Sequence, residues 1–395
     1  MDSKRTLGKA LGLVPLSSAL LLATTVAVSA QTAETGANDS GDPTMSFQEQ
    51  ALRGGDRGWN RSDMRRAQPF PMPRIDWDGP GEHREMAPTG DVTVNPAVKP
   101  LVNDPMTRLE GRKAPSQPRH RDLGRQTDAA APLMQSSRGQ PFTSVRAGPR
   151  LITREFPHRA VGRLFFERNG NPFVCSGAVI SKRLIMTAAH CVYDPDEGFF
   201  DQFRFLPAYD DTMFFATPYC QWAADRVIVP QEYDGSVVTE YDFAIIQARD
   251  RNCRRFTPRS VGEITGALGW ASNLLIGNNV TQVGYPMNLD SGMLMQKTHS
   301  DVVEVNINNA TTGQIGSAQS GGTSGGPWVQ NFGNFPAGMV PIGPDGFDEL
   351  YTIVAVSSYG ATAHNSNQIG GASILNDAWE RIWNTACGWE SDNCD

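Results

Sequence analysis

Three short segments of this sequence carry the residue types that nucleophilic catalysis needs. Thr187–Cys191 places a histidine after an apolar run, Tyr241–Ile246 places an acid at the head of another, and Ser320–Trp328 is glycine-dense around Ser324. A serine hydroxyl is a weak nucleophile until a neighbouring base takes its proton. An imidazole suits that task because it titrates near neutrality, and a buried carboxylate can hold its tautomer. In combination, these residue types point to acyl transfer.

Within these segments, Ser324, His190 and Asp242 are the candidate nucleophile, general base and orienting acid. The glycines around the serine let backbone N–H groups approach a reacting carbonyl, so the N–H groups of Gly322 and Ser324 are the expected oxyanion donors. Loss of one such donor costs about 3 kcal/mol of transition-state stabilisation. Taken singly, the residues have plainer interpretations: a structural histidine, a strand-end acid like Asp234, and a flexible turn. Only the combination favours catalysis.

The three segments, in this chain order, resemble the trypsin-like serine proteases. Thr187–Cys191 is similar to the TAAHC histidine motif of that family, and Gly322–Pro327 is similar to its GDSGGP serine motif. Asp242 followed by Phe-Ala-Ile-Ile resembles the aspartate segment. The resemblance spans about residues 155 to 385. It implies a Ser-His-Asp triad, an acyl-enzyme intermediate, protein or peptide substrates, and no cofactor or metal.

The pattern of apolar residues indicates an all-β fold. From about residue 149, short apolar runs such as Val174–Ile180 and Tyr351–Val356 alternate with Gly, Pro, Asn or Asp. Many short strands between turn residues are typical of antiparallel sandwiches and barrels. The resemblance narrows this to two antiparallel six-stranded β-barrels of the chymotrypsin type, with the triad at their junction. Helical spacing of apolar residues predicts a C-terminal helix over Ser373–Ala386.

Cysteine usage predicts disulfides. All six cysteines lie beyond residue 174, and in an exported protein an even number favours disulfides over metal ligands. Six cysteines allow 15 pairings. Pairing of neighbours along the chain is preferred, and the resemblance implies the first of these pairs alone. The pairs are Cys175 with Cys191, Cys220 with Cys253, and Cys387 with Cys394.

Within the family, the likeness is closer to the glutamyl-endopeptidase-like branch. Arg159–Gly162, Cys175–Gly177 and Gly284–Pro286 are similar to segments found there. Thr323 stands where trypsins carry an aspartate that pairs with the new N-terminus after zymogen cleavage. We therefore expect that activation switch to be absent. Removal of any pro-segment would then activate the protein in another way, such as by relieving a steric block.

The predicted specificity pocket departs from both branches. Ala318 stands where trypsins carry the acid that selects Lys or Arg, which argues against trypsin-like specificity. Gln319 and Ser357 occupy the positions where glutamyl endopeptidases carry a threonine or serine and a histidine. We expect a neutral or polar side chain at the primary site, with Gly370 or Gly371 leaving the pocket open. His364 was a further candidate for the pocket. The segment that resembles the substrate-binding strand consists of Ser358, Tyr359 and Gly360.

The N-terminal 148 residues are predicted to lie outside the catalytic domain. Residues 1–30 have a positive start, an uncharged apolar stretch and the small residues Val28–Ala30, as in a cleaved secretory signal; an uncleaved anchor is the alternative. Residues 31–148 are predicted to be a disordered pro-segment or spacer, since the stretch from 31 to 150 holds 14 of the 27 prolines and no sustained period. A small domain is the alternative there. The protease domain would span 149–395, in a secreted (extracellular or periplasmic) monomer with no membrane contact after signal removal.

Other functions compete with this interpretation. Gly322–Gly326 also fits the G-x-S-x-G elbow of α/β-hydrolase esterases, with His364 and Asp345 or Asp348 in the formal order, but Pro327 blocks the helix that elbow requires. A catalytically inactive, protease-like binding or adhesion protein is the non-enzymatic alternative. A metallopeptidase is disfavoured because no H-E-x-x-H occurs. A net charge of -7 gives no case for nucleic acid.

Overall fold

Two mainly antiparallel sheets carry most of the strands in this computed structural model. It describes residues 35–37, 40–47, 58–75, 91–101, 140–213, 216–236, 238–253, 258–273, 279–307, 309–333, 351–361 and 369–394. The predicted signal segment 1–30 lies outside the described residues, as do Asp345, Asp348 and His364. Residues Ala33–Asp395 form one compact unit.

The strands are short and follow one another closely. Before residue 149 they are β1 (Thr35–Ala37), β2 (Pro43–Ser46), β3 (Gln68–Pro69), β4 (Arg74–Ile75), β5 (Val94–Asn95) and β6 (Phe142–Arg146). After it they are β7 (Val161–Arg168), β8 (Asn171–Val179), β9 (Leu184–Thr187), β10 (Tyr193–Asp194), β11 (Gly198–Phe199), β12 (Asp201–Pro207), β13 (Trp222–Ile228), β14 (Ala244–Ala248), β15 (Gly269–Ala271), β16 (Asn279–Gly284), β17 (Gln296–Asp301), β18 (Val303–Ile307), β19 (Ala310–Gly316), β20 (Pro327–Gln330), β21 (Thr352–Ala361) and β22 (Ile369–Ile374).

The first sheet closes into a six-stranded barrel. Its strands follow the order β13-β12-β7-β8-β9-β14, and β14 pairs back onto β13. Closure buries the inward side chains of every strand, so β9 and β14 are buried along their whole lengths. The barrel thereby supplies a rigid platform for the residues at its strand ends.

The second sheet is an open half-barrel. Its main path is β18-β19-β22-β21-β20-β16-β17-β6, and no ladder joins its two ends among the described residues. The mostly-β, chymotrypsin-like fold expected from the sequence is thus confirmed, with one closed barrel and one open sheet.

Three helices lie among the described residues: α1 (Arg61–Arg66), α2 (Val261–Thr265) and α3 (Asp377–Cys387). The last is the predicted C-terminal helix. It begins later than expected because Ser373 belongs to β22, and the side chain of Asn376 caps it by accepting from two backbone N–H groups. Trp379 on its buried face packs edge-on against Phe243, which follows Asp242. None of these helices combines the length and apolarity needed to span a bilayer.

The structure differs from the expectation of a disordered segment over residues 31–148. In the described parts of that segment, β2 pairs with β13, β3 with β8, β4 with β21, β5 with β15 and β6 with β17. These strands are two to five residues long, too short to show a sequence period, yet they add to sheets that already exist. Large apolar side chains fix them in the core: Met45, Phe47, Trp59, Met64 and Phe70.

Three disulfides join the six cysteines as the preferred neighbour pairing expects. Cys175 on β8 is bonded to Cys191, immediately after His190. That bond closes a loop across β8 and β9, so the histidine turn is tied covalently to the barrel wall.

Candidate active site

His190 and Asp242 come together because β9 and β14 are antiparallel neighbours. His190 lies in a short 3-10 turn (Ala189–Cys191) just after β9, and Asp242 lies just before β14. The register pairs Thr187 with Ala244, which brings the end of one strand beside the start of the other. Ladder pairing in the first barrel therefore sets the histidine–acid distance.

The carboxylate of Asp242 holds the histidine at two points. Its Oδ2 lies 2.6 Å from Nδ1 of His190, and its Oδ1 accepts a 2.9 Å hydrogen bond from the His190 backbone N–H. The Ser358 hydroxyl also donates to Oδ2. Burial by itself would raise the pKa of Asp242, but the charge and hydrogen bonds of His190, together with Ser358, leave that pKa below its ordinary value. The ionised acid fixes the proton on Nδ1, so Nε2 is the free base.

Hydrogen bonds to both sheets position the loop that carries Ser324. The Ser324 carbonyl accepts from the N–H of Ser176 on β8 at 2.8 Å. The Gly325 N–H donates to the carbonyl of Ser357 on β21, also at 2.8 Å. Gly325 has φ +79°, and a Cβ there would lie 2.2 Å from Oγ1 of Thr187, so only glycine lets the loop approach the histidine strand. Ser324 is thus held against β8 and β9, the strands that carry the histidine turn.

Two polar atoms of the candidate site, Nε2 of His190 and Oγ of Ser324, are buried and form no described hydrogen bond. A buried polar atom without a partner costs free energy, and such atoms at one site call for a functional explanation. A base and a hydroxyl in this state are what a nucleophilic pair offers before substrate binds.

Two peptide planes orient the expected oxyanion donors. The Gly321 carbonyl accepts from the Met287 N–H at 2.9 Å, so the Gly322 N–H of the same planar trans peptide points the opposite way. The Thr323 carbonyl accepts from the Gly326 N–H at 2.8 Å, which orients the Ser324 N–H in the same manner. Gly322 has φ +97°, a conformation that side chains other than glycine rarely adopt.

The family model described as Trypsin matches residues 153–373, more than half of the chain. The chain belongs to the trypsin family.

Two curated relatives match part of the chain. Over 178 residues the chain is 26% identical to a glutamyl endopeptidase of Bacillus licheniformis, covering 44% of this chain and 50% of the relative. Over 237 residues it is 22% identical to a protein of Bacillus subtilis named extracellular metalloprotease, covering 58% of this chain and 64% of the relative. The chain thus spans between half and two thirds of these relatives.

Two solved structures illustrate the structural likeness. The protease Anisep from Arthrobacter nicotinovorans is 24% identical, with a TM-score of 0.47, over 59% of this chain and 98% of that one. A Glu endopeptidase solved in complex with MPD is 18% identical, with a TM-score of 0.42, over 62% of this chain and 96% of that one.

Thr323, the departure from the family's serine motif, has a neutral partner. Its hydroxyl donates to Oε1 of Gln319 at 3.0 Å, and both side chains are buried. A hydrogen bond within the loop therefore takes the position where trypsins carry a charged aspartate. This contact supports the expectation that loop order here does not depend on a newly formed N-terminus.

The predicted pocket residues sit in a neutral hydrogen-bond network. Nε2 of Gln319 donates to Oγ1 of Thr298 at 2.9 Å, and the Ser357 hydroxyl accepts from Nε2 of Gln282 at 3.1 Å. The Ala318 carbonyl accepts from an asparagine amide rather than from a cation. None of the hydrogen bonds described for these residues involves a carboxylate or an ammonium group. The electrostatics therefore favour an uncharged group at this position.

Tyr359 fills the space beside Gly371, where the sequence analysis predicts an open pocket. Its hydroxyl lies 2.7 Å from Oγ1 of Thr312, and its ring covers Gly371, where a Cβ would be 2.2 Å from the ring. Gly371 thus makes room for the Tyr359 ring instead of opening the pocket. In the predicted substrate strand, the Ser358 hydroxyl donates to Asp242 and the Gly360 N–H donates to the Pro73 carbonyl.

Two competing chemistries find no support in the geometry. A strand, β20, follows the serine loop, whereas the esterase elbow requires a helix there. Among the described residues, one group of three potential metal ligands was found, namely Cys175, His190 and Cys191. Its two cysteines are bonded to each other and so offer no thiolate.

Sequence reasoning missed two neighbours of the triad. Ser373 accepts the Asp242 N–H at 3.2 Å and donates to the Thr239 carbonyl at 2.7 Å, which fixes the acid's backbone. Phe70 stacks on the His190 ring, with centroids 6.0 Å apart. The signal for Phe70 was present as an aromatic residue between two prolines, but nothing local connects it to a histidine 120 positions later.

Proposed function

We propose that this chain is a secreted serine endopeptidase that uses Ser324, His190 and Asp242 as its triad. The observation that carries the proposal is the double contact of Asp242 with His190 beside a free, buried Nε2. Both contacts of the Asp242 carboxylate hold His190 in place, and they leave Nε2 of the imidazole free to accept a proton. Membership of the trypsin family and the two oriented N–H groups support the same reaction.

The proposed reaction follows from these atoms. Nε2 of His190 takes the Ser324 hydroxyl proton while Oγ attacks the peptide carbonyl, and the oxyanion is stabilised by the N–H groups of Gly322 and Ser324. Nε2 then gives that proton to the leaving amine as the C–N bond breaks, which leaves an ester on Ser324. A water attacks the ester in the same way, so the carboxylic acid is released and the hydroxyl is restored.

Export, processing and substrate are parts of the proposal. The signal-like residues 1–30, the three disulfides and the printed name of an extracellular relative support secretion of a monomer, with residues 31–148 as a pro-segment and 149–395 as the protease. The neutral network around Gln319 and Ser357 supports preference for a neutral or polar side chain over glutamate. Proteins or peptides would be the substrates, without a cofactor.

Labelling with a small fluorophosphonate, followed by peptide mapping, tests the proposal. We expect label on Ser324, and its loss in Ser324→Ala and in His190→Ala, because triad members act as a unit. Ser320→Ala is the matched control, since that serine lies in the same loop and uses only its backbone there. The proposed function would be contradicted if folded protein never acquired label at Ser324, including variants in which the N-terminal segment no longer covers that serine.

A further inference from the structure

We propose that residues 68–75, called the strap here, occupy the peptide-binding cleft and block substrates until the strap is displaced. This inference rests on the proposed function, because it takes Ser324 and His190 as the reacting pair. The strap has the sequence Gln-Pro-Phe-Pro-Met-Pro-Arg-Ile. It comes from the segment that was expected to be disordered.

The strap connects the two sheets across the site. Its first strand, β3, pairs with β8 of the first barrel, at Gln68 with Phe173 and Pro69 with Val174. Its last strand, β4, pairs with β21 of the second sheet, at Arg74 with Gly360. The residues between these two pairings must therefore pass over the junction where the triad lies.

At the first barrel, the strap covers the catalytic histidine. The Phe70 ring stacks on His190 with an interplanar angle of 22° and is itself almost fully buried. It sits in an aromatic pocket, with ring centroids at 5.2–5.5 Å from Phe166, Phe173 and Phe200. The Phe70 N–H donates to the Val174 carbonyl at 3.0 Å. A substrate residue beside His190 would need this space.

At the oxyanion loop, the strap lies beside Gly321 and leaves little room for a side chain there. A Cβ placed on Gly321 would lie 3.3 Å from Cβ of Pro69 and 3.4 Å from the carbonyl oxygen of Phe70. Gly321 immediately precedes Gly322, whose N–H is a proposed oxyanion donor. A peptide entering the cleft would therefore meet strap atoms next to the reacting centre.

At the second sheet, the strap takes a backbone donor from the proposed substrate strand. The Gly360 N–H donates to the Pro73 carbonyl at 2.9 Å. A Cβ on Gly360 would lie 3.2 Å from Sδ of Met72. An N–H group that bonds the strap is not available to the backbone of a substrate, so binding of one excludes the other.

The composition of the strap suits an occupant that is not a substrate. Prolines at alternate positions 69, 71 and 73 favour an extended backbone, so little entropy is lost on binding. They also remove N–H donors and make three of the strap's peptide bonds tertiary amides. Among the described residues, no hydrogen bond joins the strap to Oγ of Ser324 or to the N–H of Gly322. The described hydrogen bonds therefore do not hold a strap carbonyl in the position for attack.

Helix α1 anchors the strap at its N-terminal side. Nε of Arg61 and Nε of Arg65 lie 2.6 and 2.7 Å from the two oxygens of Asp211, whose side chain is fully buried. The Trp59 indole donates to the Gln202 carbonyl at 2.9 Å. Because the strap is tethered this closely, its effective concentration at the cleft is high, and a free peptide competes poorly.

Kinetics of the full chain test the strap. Phe70→Ala and the anchor variant Arg61→Ala/Arg65→Ala are compared with Phe47→Ala, a buried phenylalanine of the same N-terminal segment that packs on Phe203 and has no described ring contact with His190. We expect kcat/KM for peptide substrates and the fluorophosphonate labelling rate to rise about tenfold or more in both strap variants. Phe47→Ala should change neither by more than about twofold.

Hydrogen exchange gives a readout that does not need activity. In Ser324→Ala protein, the Gly360 amide should be protected by Pro73 and should exchange at least tenfold faster in the anchor variant. Peptide turnover by the intact chain at the rate of the strap variants, with an unprotected Gly360, would overturn the strap while leaving the protease proposal standing. Folded strap variants that acquire no label at Ser324 would instead overturn the proposed function.

Discussion

At the residue scale, Asp242 shows how a buried charge is kept ionised. Removal from water opposes the carboxylate, yet contacts with His190 and the Ser358 hydroxyl lower the pKa of Asp242 below its ordinary value. Each carboxylate oxygen accepts a hydrogen bond, and these bonds offset most of the desolvation free energy of the buried charge. The residue can therefore serve as a fixed negative charge through the catalytic cycle.

Asp242→Asn should reduce kcat by about 10⁴-fold, because an amide leaves His190 in the wrong tautomer. Steady-state kinetics on a peptide substrate measures the effect. Asp234→Asn is the matched control: that acid is exposed, and its hydrogen bonds are to the nearby Ser236. If Asp242→Asn stayed within a few-fold of the parent, Asp242 would not be the acid, and Asp234 would be the next candidate.

At the element scale, the 3-10 turn His158–Ala160 carries a histidine that the site does not use. The His158 ring packs edge-on to Phe332 with centroids 4.6 Å apart, and neither ring nitrogen has a partner among the described residues. Burial, followed by the positive charge of Lys297, lowers the pKa of His158 to about 3. The folded turn therefore favours the neutral imidazole over the charged one.

This pKa predicts acid sensitivity of the fold. Because the pKa of His158 is lower in the folded state, the neutral ring contributes fully to the free energy of unfolding above the unfolded-state pKa of about 6.5. That contribution is lost as the pH falls from there toward about 3. The slope is roughly 1.4 kcal/mol per pH unit. We expect the free energy of unfolding, measured with denaturant from pH 7 to 4, to decline less steeply for His158→Phe than for the parent.

His299→Gln is the comparison for that experiment. Burial also lowers the pKa of His299, but the ring is only half-buried and bonds to Thr281, so its removal should flatten the curve less. Equal slopes for the parent and His158→Phe would show that His158 does not govern acid stability.

At the scale of the whole molecule, the described parts of the N-terminal segment pack into the folded unit. Asp42, which has no exposed side-chain surface, accepts from the guanidinium of Arg381 on α3 at 2.9–3.1 Å and so ties the two ends of the chain together. The strap lies further along the same segment. One stretch of chain thereby both stabilises the domain and covers its site.

A chain that starts at residue 149 should be less stable than one that starts at residue 31. Its core loses Met45, Phe47, Trp59, Met64 and Phe70, each worth about 2 kcal/mol of burial. We therefore expect a lower denaturant midpoint by circular dichroism, together with dye binding to the uncovered apolar surface. Equal midpoints for the two chains would mean that the segment packs on the domain without stabilising it.

The features that can be read from the amino-acid sequence alone are those that chemistry confines to a few adjacent residues. The histidine turn and the glycines around Ser324 are recognisable because reactive groups and positive φ angles restrict the residue type at each position. The alternation of short apolar runs and turn residues likewise determined a mostly-β fold.

The identity of the distant residues that complete the site depends on the tertiary fold. Ser358 and Ser373 reach Asp242 from 116 and 131 positions away. Phe70 reaches His190 from a segment whose strands are too short to show a period. Such contacts depend on which strand edges pair and in what register, and that choice is made by the whole sheet rather than by local residue preferences. For that reason the residues of the proposed triad were visible in the sequence, and the strap proposed to cover them was not.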